Sequence, residues 1–480
     1  MDRALNREIL RLSLPSILAN LTVPLVGFVD TAVAGHLDGG AAAFIGAISV
    51  GAMLFNLLYW NFGFLRTGTG GLTAQAFGRG DPHGCAAILA RSLALALGIS
   101  VLTLALQWPF VKLVLACTQA TPEVEALAAK YFFIRIWAAP ATLSLMAFSG
   151  WFVGMQDSMS SMWKDFVVNG VNVVASIVLA LGVGKWPGMG FAGIALGTVV
   201  AQYCGLLYCL VVCAVKYRET VLSRFRLAEL RSMMGREDLR GFFKMNADLF
   251  GRSLFFTVIY IGYTLIAAQL GDLMLACSAI MMQLLMIFSY FTDGFAYAGE
   301  ALTGRFIGAQ DIVMMRRSVK YTFVWSMSIA VLFIGVYGLI GVPLLRLLTD
   351  DAVVVDACRD YLPWLALMPP LGCAAFFWDG VYLGATASRG IRNAMVGAAV
   401  SFFAAWFAGR LFLPAPALGS AAPALSSVAS ALDSAVVAPA PAALHLLLAA
   451  YFAHLAFRTI YLSLRYRPDI LSILLPPVEG

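Results

Sequence analysis

Twelve apolar stretches, each long enough to cross a lipid bilayer, dominate this 480-residue chain and leave few folds open to it. They fall at 11–36, 42–66, 87–115, 124–154, 160–183, 190–215, 242–270, 274–300, 318–347, 353–384, 389–413 and 443–464. A membrane helix needs about 20 mainly apolar residues. Lipid cannot satisfy backbone polar groups, so runs of this kind are helices or closed barrels. They lack the ten-residue alternation of a barrel. The expected class is an all-α integral membrane protein of twelve transmembrane helices. Only 12% of the residues are charged, against roughly 25% in soluble proteins, which excludes a water-soluble multidomain enzyme.

The few charges set an expected orientation. Arg79, Arg218, Arg224, Arg316, Arg317, Arg389 and Arg392 follow even-numbered spans, and Lys164 is counted with them. The opposite loops offer Asp38, Lys185, Asp272, Asp350, Asp351 and Asp433. Positive charge gathers on the cytoplasmic side, so both termini are expected there, in an inner membrane. Arg3, Arg7 and Arg11 precede an apolar run too long for a signal peptide. The segment 414–443, with five prolines and many Ala and Ser, reads as an external linker. The eight cysteines show no zinc spacing, and no metal site is expected.

The halves of the sequence repeat. GLTAQAFGRGD (71–81) matches ALTGRFIGAQD (301–311), with Thr73/Thr303 and Asp81/Asp311 standing 230 positions apart. Tyr131/Tyr361, Pro140/Pro370, Gly150/Gly380 and Gly154/Gly384 keep that offset. Six spans per half make the repeat parallel, two six-helix lobes about a pseudo-twofold axis along the membrane normal. The expected division is 1–216, a basic connector at 217–240, and 241–480. The paired glycines are expected to let helices approach closely within each lobe.

Ionisable groups inside spans are costly, about 2.5–3.5 kcal/mol at mid-bilayer, and so mark function. Asp30 lies two-thirds along the first span with no Lys or Arg within a helical turn. It is either protonated or faces a wet cavity, which makes it a candidate proton or cation site. Pro15 and Pro24 in the same span are candidate hinges. Asn169, Asn172 and Ser176 put polar groups on one face of span 5, and Thr198 does so in span 6. They could bond Asp30 or join helices. Asp293, Glu300 and Asp379 form a second, acidic group in the other half; Arg135 is expected to pair with a carboxylate or reach the outer surface. Asp248 and Arg252 are expected to pair with each other. Enzyme signatures fail. HExxH and Walker A sequences are absent, and the GxGxxG match at 188–193 follows Trp186-Pro187 instead of a strand, so it reads as a tight turn.

The segments PSILANLTVPLVGFVDTAVAGHL, LTAQAFGRGD, AAPATLSLMAFSGWFVGMQDS, NADLFGRSLFF and FFWDGVYLGATASRGIRNAM together resemble the multidrug and toxic compound extrusion (MATE) family, in its DinF-like branch. The likeness runs over about 1–410. It implies a secondary active antiporter, not an enzyme, that exports lipophilic or cationic compounds against an inward proton or sodium gradient. Asp30 and Asn172 match the coupling Asp and its Asn partner. Ser176 stands where the family has a second Asp, and no span 7 glutamate is evident at 252–256, which favours protons over sodium. A lipid-linked oligosaccharide flippase is the rival, and would favour a cationic cavity; here mid-span charges look mainly acidic, apart from Arg135. The implied partners are small organic molecules and membrane lipids, with no nucleic acid and no cofactor beyond the ion gradient, for a monomer.

Overall fold

The computed structural model describes residues 2–37, 40–116, 118, 120–224, 235–411 and 440–474. Twelve helical spans among them are long and apolar enough to cross a membrane. They are α1 (Arg3–Gly35), α2 (Ala41–Gly78), α3 (Pro82–Ala105), α4 (Pro122–Gly154), α5 (Ser158–Leu181), α6 (Phe191–Val215), α7 (Leu239–Gln269), α8 (Asp272–Gly308), α9 (Ile312–Leu348), α10 (Leu362–Gly384), α11 (Ser388–Arg410) and α12 (Pro441–Ile473). All twelve predicted spans are present. Two differ in detail: the third closes into a separate helix at Gln107–Leu115, and the tenth begins as a short helix at Ala352–Arg359. The outer faces expose large apolar side chains such as Phe28, Val101, Leu339 and Leu347, a surface suited to lipid and not to water. Residues 225–234 of the 217–240 connector, nearly all of the 414–443 linker, and Asp38 and Cys117 lie outside the described residues. The linker's last residues already belong to the helix Ala440–Asp469.

The repeat is visible in the backbone. Helices α2, α4, α8 and α10 end in one corner, with Gly80, Gln156, Gln310 and Thr386 in the left-handed region at φ +66, +61, 57 and 55°. The next amide reaches back five residues each time: Asp81 to the Ala76 carbonyl, Asp157 to Phe152, Asp311 to Phe306, and Ala387 to Tyr382, at 2.8–3.0 Å. This satisfies carbonyls that a helix end would leave bare. Asp81, Asp157 and Asp311 then cap the following helix, accepting from the amides of Gly84, Ser160 and Met314. Asp157 also accepts from Lys216 (2.6 Å) and Tyr217 (2.7 Å). Burial works against its charge, yet bonds from Lys216, Ser160 and Tyr217 hold its carboxyl below the usual range.

Glycine sets the helix spacing, as the paired positions suggest. A Cβ on Gly150 would lie 2.0 Å from the Arg66 carbonyl, and one on Gly154 2.6 Å from the Thr73 Cβ, so α4 rides on α2. In the second half Gly380 and Gly384 bring α10 equally close to Ala296 and Glu300 of α8. Glycines also join the halves at the end carrying the N terminus. Gly71 faces the Leu383 carbonyl, Gly78 that of Arg305, and Gly308 that of Gln75, all with under 2.2 Å for an added Cβ. Side chains reinforce the seam. Gln75 Nε2 donates to the Gly384 carbonyl (3.0 Å) and Thr386 Oγ1 (3.2 Å), Gln156 Nε2 to the Ala301 carbonyl (2.9 Å), and Arg305 to Glu8.

Helix α1 belongs to neither half alone. Its first turns pack on α8 and α9, where Asn6 accepts from Trp325 and Gly294 meets Ser13 and Ile17. Its last turns, with Val33 and Ala34, join the apolar core of the first half around Phe55 and Phe132. Pro15 is buried, Pro24 exposed, and the helix runs continuously through both. The 188–193 glycines form a turn: Gly188 and Gly190 have φ of +76 and +59°, and Gly193 lets α6 lie against Leu179 of α5.

Candidate functional site

Two polar centres lie within the helices. The first is built on α1, α5 and α6. Asp30 is 5% exposed although it is six residues past Pro24, an exposed proline in the helix interior. Ser176 and Arg135 are the groups that bear on its carboxyl. Asn172 donates to Thr198 Oγ1 at 3.0 Å, and Asn169 donates to Thr22 Oγ1 of α1 at 2.5 Å. The asparagines of the α5 stripe therefore join helices: Asn169 ties α5 to α1, and Asn172 ties it to α6. Asp30 Oδ1, Asn172 Oδ1 and Ser176 Oγ are all buried without a hydrogen-bond partner. The Ser176 hydroxyl beside Asp30 can donate to the ionised carboxyl or accept from the protonated one. Arg135 is half-buried and forms no carboxylate ion pair among the described contacts, but its charge acts on Asp30. It donates to Tyr131 Oη at 2.9 Å and covers the Phe55 ring at 4.6 Å.

The second centre lies where the halves face each other, in a cavity of about 470 Å³ lined from α1, α2, α7, α8, α10 and α12. Asp293, Glu300 and Asp379 are brought together there as the sequence suggests. The group is not acidic, however, because Arg66, Arg252 and Arg458 share the same walls. Asp379 Oδ2 accepts from Arg252 Nη2 at 2.5 Å and from Arg458 Nη2 at 2.6 Å. Glu300 lies 3.5 Å from Arg66 Nη1, and the Arg66 guanidinium covers the Tyr297 ring at 3.9 Å. Three cations against three acids correct the reading that mid-span charge is mainly acidic.

The pairing of Asp248 with Arg252 is also corrected. Asp248 accepts from Arg392 Nη1 (2.5 Å) and Ser388 Oγ (3.0 Å) of α11, while Arg252, a turn further along α7, turns into the cavity to Asp379. Their spacing permits contact, but each finds a partner on another helix that anchors its charge more deeply. Lys164, counted with the loops, is buried in α5, where it donates to Ser149 and pairs with Asp165 at 2.7 Å. Arg66 and Arg458 are the functional candidates that sequence reasoning passed over. Arg458 had a usable signal, a guanidinium in the middle of an apolar span with no acid within a turn. No group of three or more His, Cys, Asp or Glu side chains poised to hold a metal occurs among the described residues.

Comparison with known proteins follows this geometry. The family model described as MatE matches residues 15–181 and 249–414, once in each half. DNA damage-inducible protein F of Escherichia coli (strain K12) is 34% identical over 397 residues, covering 83% of this chain and 84% of that protein. The probable multidrug resistance protein NorM of Rhizobium meliloti (strain 1021) is 26% identical over 415 residues, again 83% and 84% of the two chains. Among solved structures, a MATE crystal structure in the straight conformation superposes with a TM-score of 0.80 at 16% identity, over 98% of this chain and 97% of that one. The bent conformation gives 0.79 at 17% identity, over 98% and 96%.

Proposed function

The chain belongs to the MatE family of membrane transporters, and from that premise we propose that it is a multidrug-type exporter driven by inward proton flow through Asp30. It is a multi-pass membrane protein and a secondary transporter, not an enzyme. The two half-chains act as lobes around the central cavity, both termini face the cytoplasm, and the cargo is a lipophilic organic compound. The observation that carries proton coupling is the buried carboxyl of Asp30, whose Oδ1 has no hydrogen-bond partner and which has the Ser176 hydroxyl beside it. A protonated Asp30 donates one hydrogen bond there, and an ionised one cannot. Each protonation event therefore redraws the contacts among α1, α5 and α6, and Pro15 and Pro24 give α1 places to bend.

Sodium coupling is the second reading, and the carboxylates weigh against it. A hard cation takes several oxygen ligands. Asp30 has Ser176 where a second carboxylate would stand, and Asp379 is already clasped by two guanidiniums. The flippase alternative requires a wholly cationic cavity; here Asp293, Glu300 and Asp379 share the walls with Arg66, Arg252 and Arg458.

The test is export of a fluorescent lipophilic dye by purified protein in proteoliposomes, under an imposed pH gradient or an imposed sodium gradient. The pH gradient is expected to drive transport, and Asp30→Asn at equal reconstitution is expected to lose at least tenfold. Full pH-driven transport by Asp30→Asn overturns the mechanism. Transport driven by sodium alone replaces it with the second reading.

A further inference from the structure

The central cavity offers charge to a ligand unequally. Side-chain exposure is 20% for Arg66 but 1% for Glu300, and 22% for Arg252 but 7% for Asp379. In both pairs the arginine side chain is the more exposed partner. Arg458, 2% exposed, backs Asp379 from the far side. Asp379 cannot serve an incoming cation through Oδ2, because two guanidiniums already occupy that oxygen at 2.5 and 2.6 Å. Arg66 lies 3.5 Å from Glu300 and stacks on Tyr297, and Arg66 Nη1 and Arg252 Nε are buried without a hydrogen-bond partner. Of the acids, Asp293 alone is half-exposed at this wall. Trp60, Phe256, Met286, Tyr290 and Phe376 give the cavity an apolar and aromatic wall, with threonines and serines among the other lining residues. A cavity of about 470 Å³ lies in the range of drug-sized ligand sites.

We infer that this cavity binds the carboxylate of an amphipathic organic anion between Arg66 and Arg252, with the ligand's apolar body against the aromatic wall. Guanidinium edges match a carboxylate with paired, charge-assisted hydrogen bonds. Like charges facing one another in a low-dielectric wall disfavour an organic cation at the same place. This narrows the cargo of the exporter described above from lipophilic compounds in general to those carrying an acid group. It rests on that reading for transport but not for binding.

Arg252→Gln is the informative variant, since Arg458 stays 2.6 Å from Asp379 and the carboxylate is not left bare. The probes are dansyl-phenylalanine, its methyl ester, and dansylcadaverine, which are anion, neutral and cation on one fluorophore. Dansyl emission is titrated on purified protein, and the same probes are followed in proteoliposomes under a pH gradient. The free acid is expected to bind at least tenfold tighter than the ester or the amine. Arg252→Gln is expected to lose that preference while ester binding stays within twofold. Tighter binding of dansylcadaverine, or equal loss of acid and ester in Arg252→Gln, overturns the inference. If the acid is preferred yet no probe moves under the gradient, the anion site stands and the exporter reading falls.

Discussion

Replacing Gly78 by alanine tests whether the glycine seam holds the two halves together at the end carrying the N terminus. An added Cβ at Gly78 would lie 1.9 Å from the Arg305 carbonyl oxygen, whereas ordinary contact begins at 3.4 Å. Helices α2 and α8 must therefore separate by about 1.5 Å there. Gly308 against the Gln75 carbonyl and Gly71 against that of Leu383, at 2.1 and 2.0 Å for a Cβ, would open with them. Overpacking of this kind costs about 1–3 kcal/mol. Alanine's better helix propensity applies to open and closed forms alike and cancels. The penalty thus falls on the closed form alone and shifts the equilibrium towards opening by roughly 5- to 150-fold. The measurement is a spin-label distance between Arg79→Cys and Arg389→Cys, both exposed at this end, with Cys117 and Cys204 replaced by Ser. Gly78→Ala should move the distance distribution outward. Gly98→Ala, whose Cβ meets nothing within 4 Å, should leave it unchanged. If Gly78→Ala and Gly98→Ala give one distribution and one transport rate, the seam is not a closure and the reasoning fails.

The left-handed corners give a second test. Gln310 at φ 57° bonds only its own helix, at the Ile307 carbonyl, so Gln310→Gly should relieve strain and raise stability by about 0.5–1 kcal/mol in thermal melts. Gln156→Gly relieves the same strain but removes the bond to Ala301 across the seam, so its label distances should lengthen where those of Gln310→Gly do not. Asp157 gives a pH test. Its folded carboxyl is held below the ordinary value, so its contribution is fully present above the unfolded value of about 3.9 and is lost as pH falls through the folded one. Melting of the wild type should be flat through neutral pH and decline below about 4. Asp157→Asn should melt lower by about 1 kcal/mol at neutral pH, a modest figure because Lys216 is half-exposed, and should decline less steeply in acid.

The twelve spans were legible because lipid-facing helices must be apolar along their length. Their ends were not, where helices face each other. Span 2 was expected to stop at 66, yet α2 continues through Thr67–Gly78, since small and polar residues there pack on protein, with Gly68, Gly70 and Gly71 against neighbouring side chains and backbone. The repeat offset foretold the close-packing glycine pairs; the matched Asp81 and Asp311 prove to be equivalent helix caps, a role the offset alone did not give. Asp30, Asn172, Ser176 and Thr198 gather on adjacent helices as their spacing implied. The cavity arginines escaped because charge pairing is decided between helices distant in sequence: Arg252 joins Asp379, 127 residues away, in preference to the nearby Asp248.

Helix α1 is anchored at one end to α8 and α9 and at the other to the core around Phe55 and Phe132. Any rocking of one half against the other must accordingly be absorbed along its length, and Asp30 sits on the stretch fixed to the first half. Under the proposed proton-driven cycle, a strut bridging both halves would give a protonation event on one side a direct mechanical lever on the other.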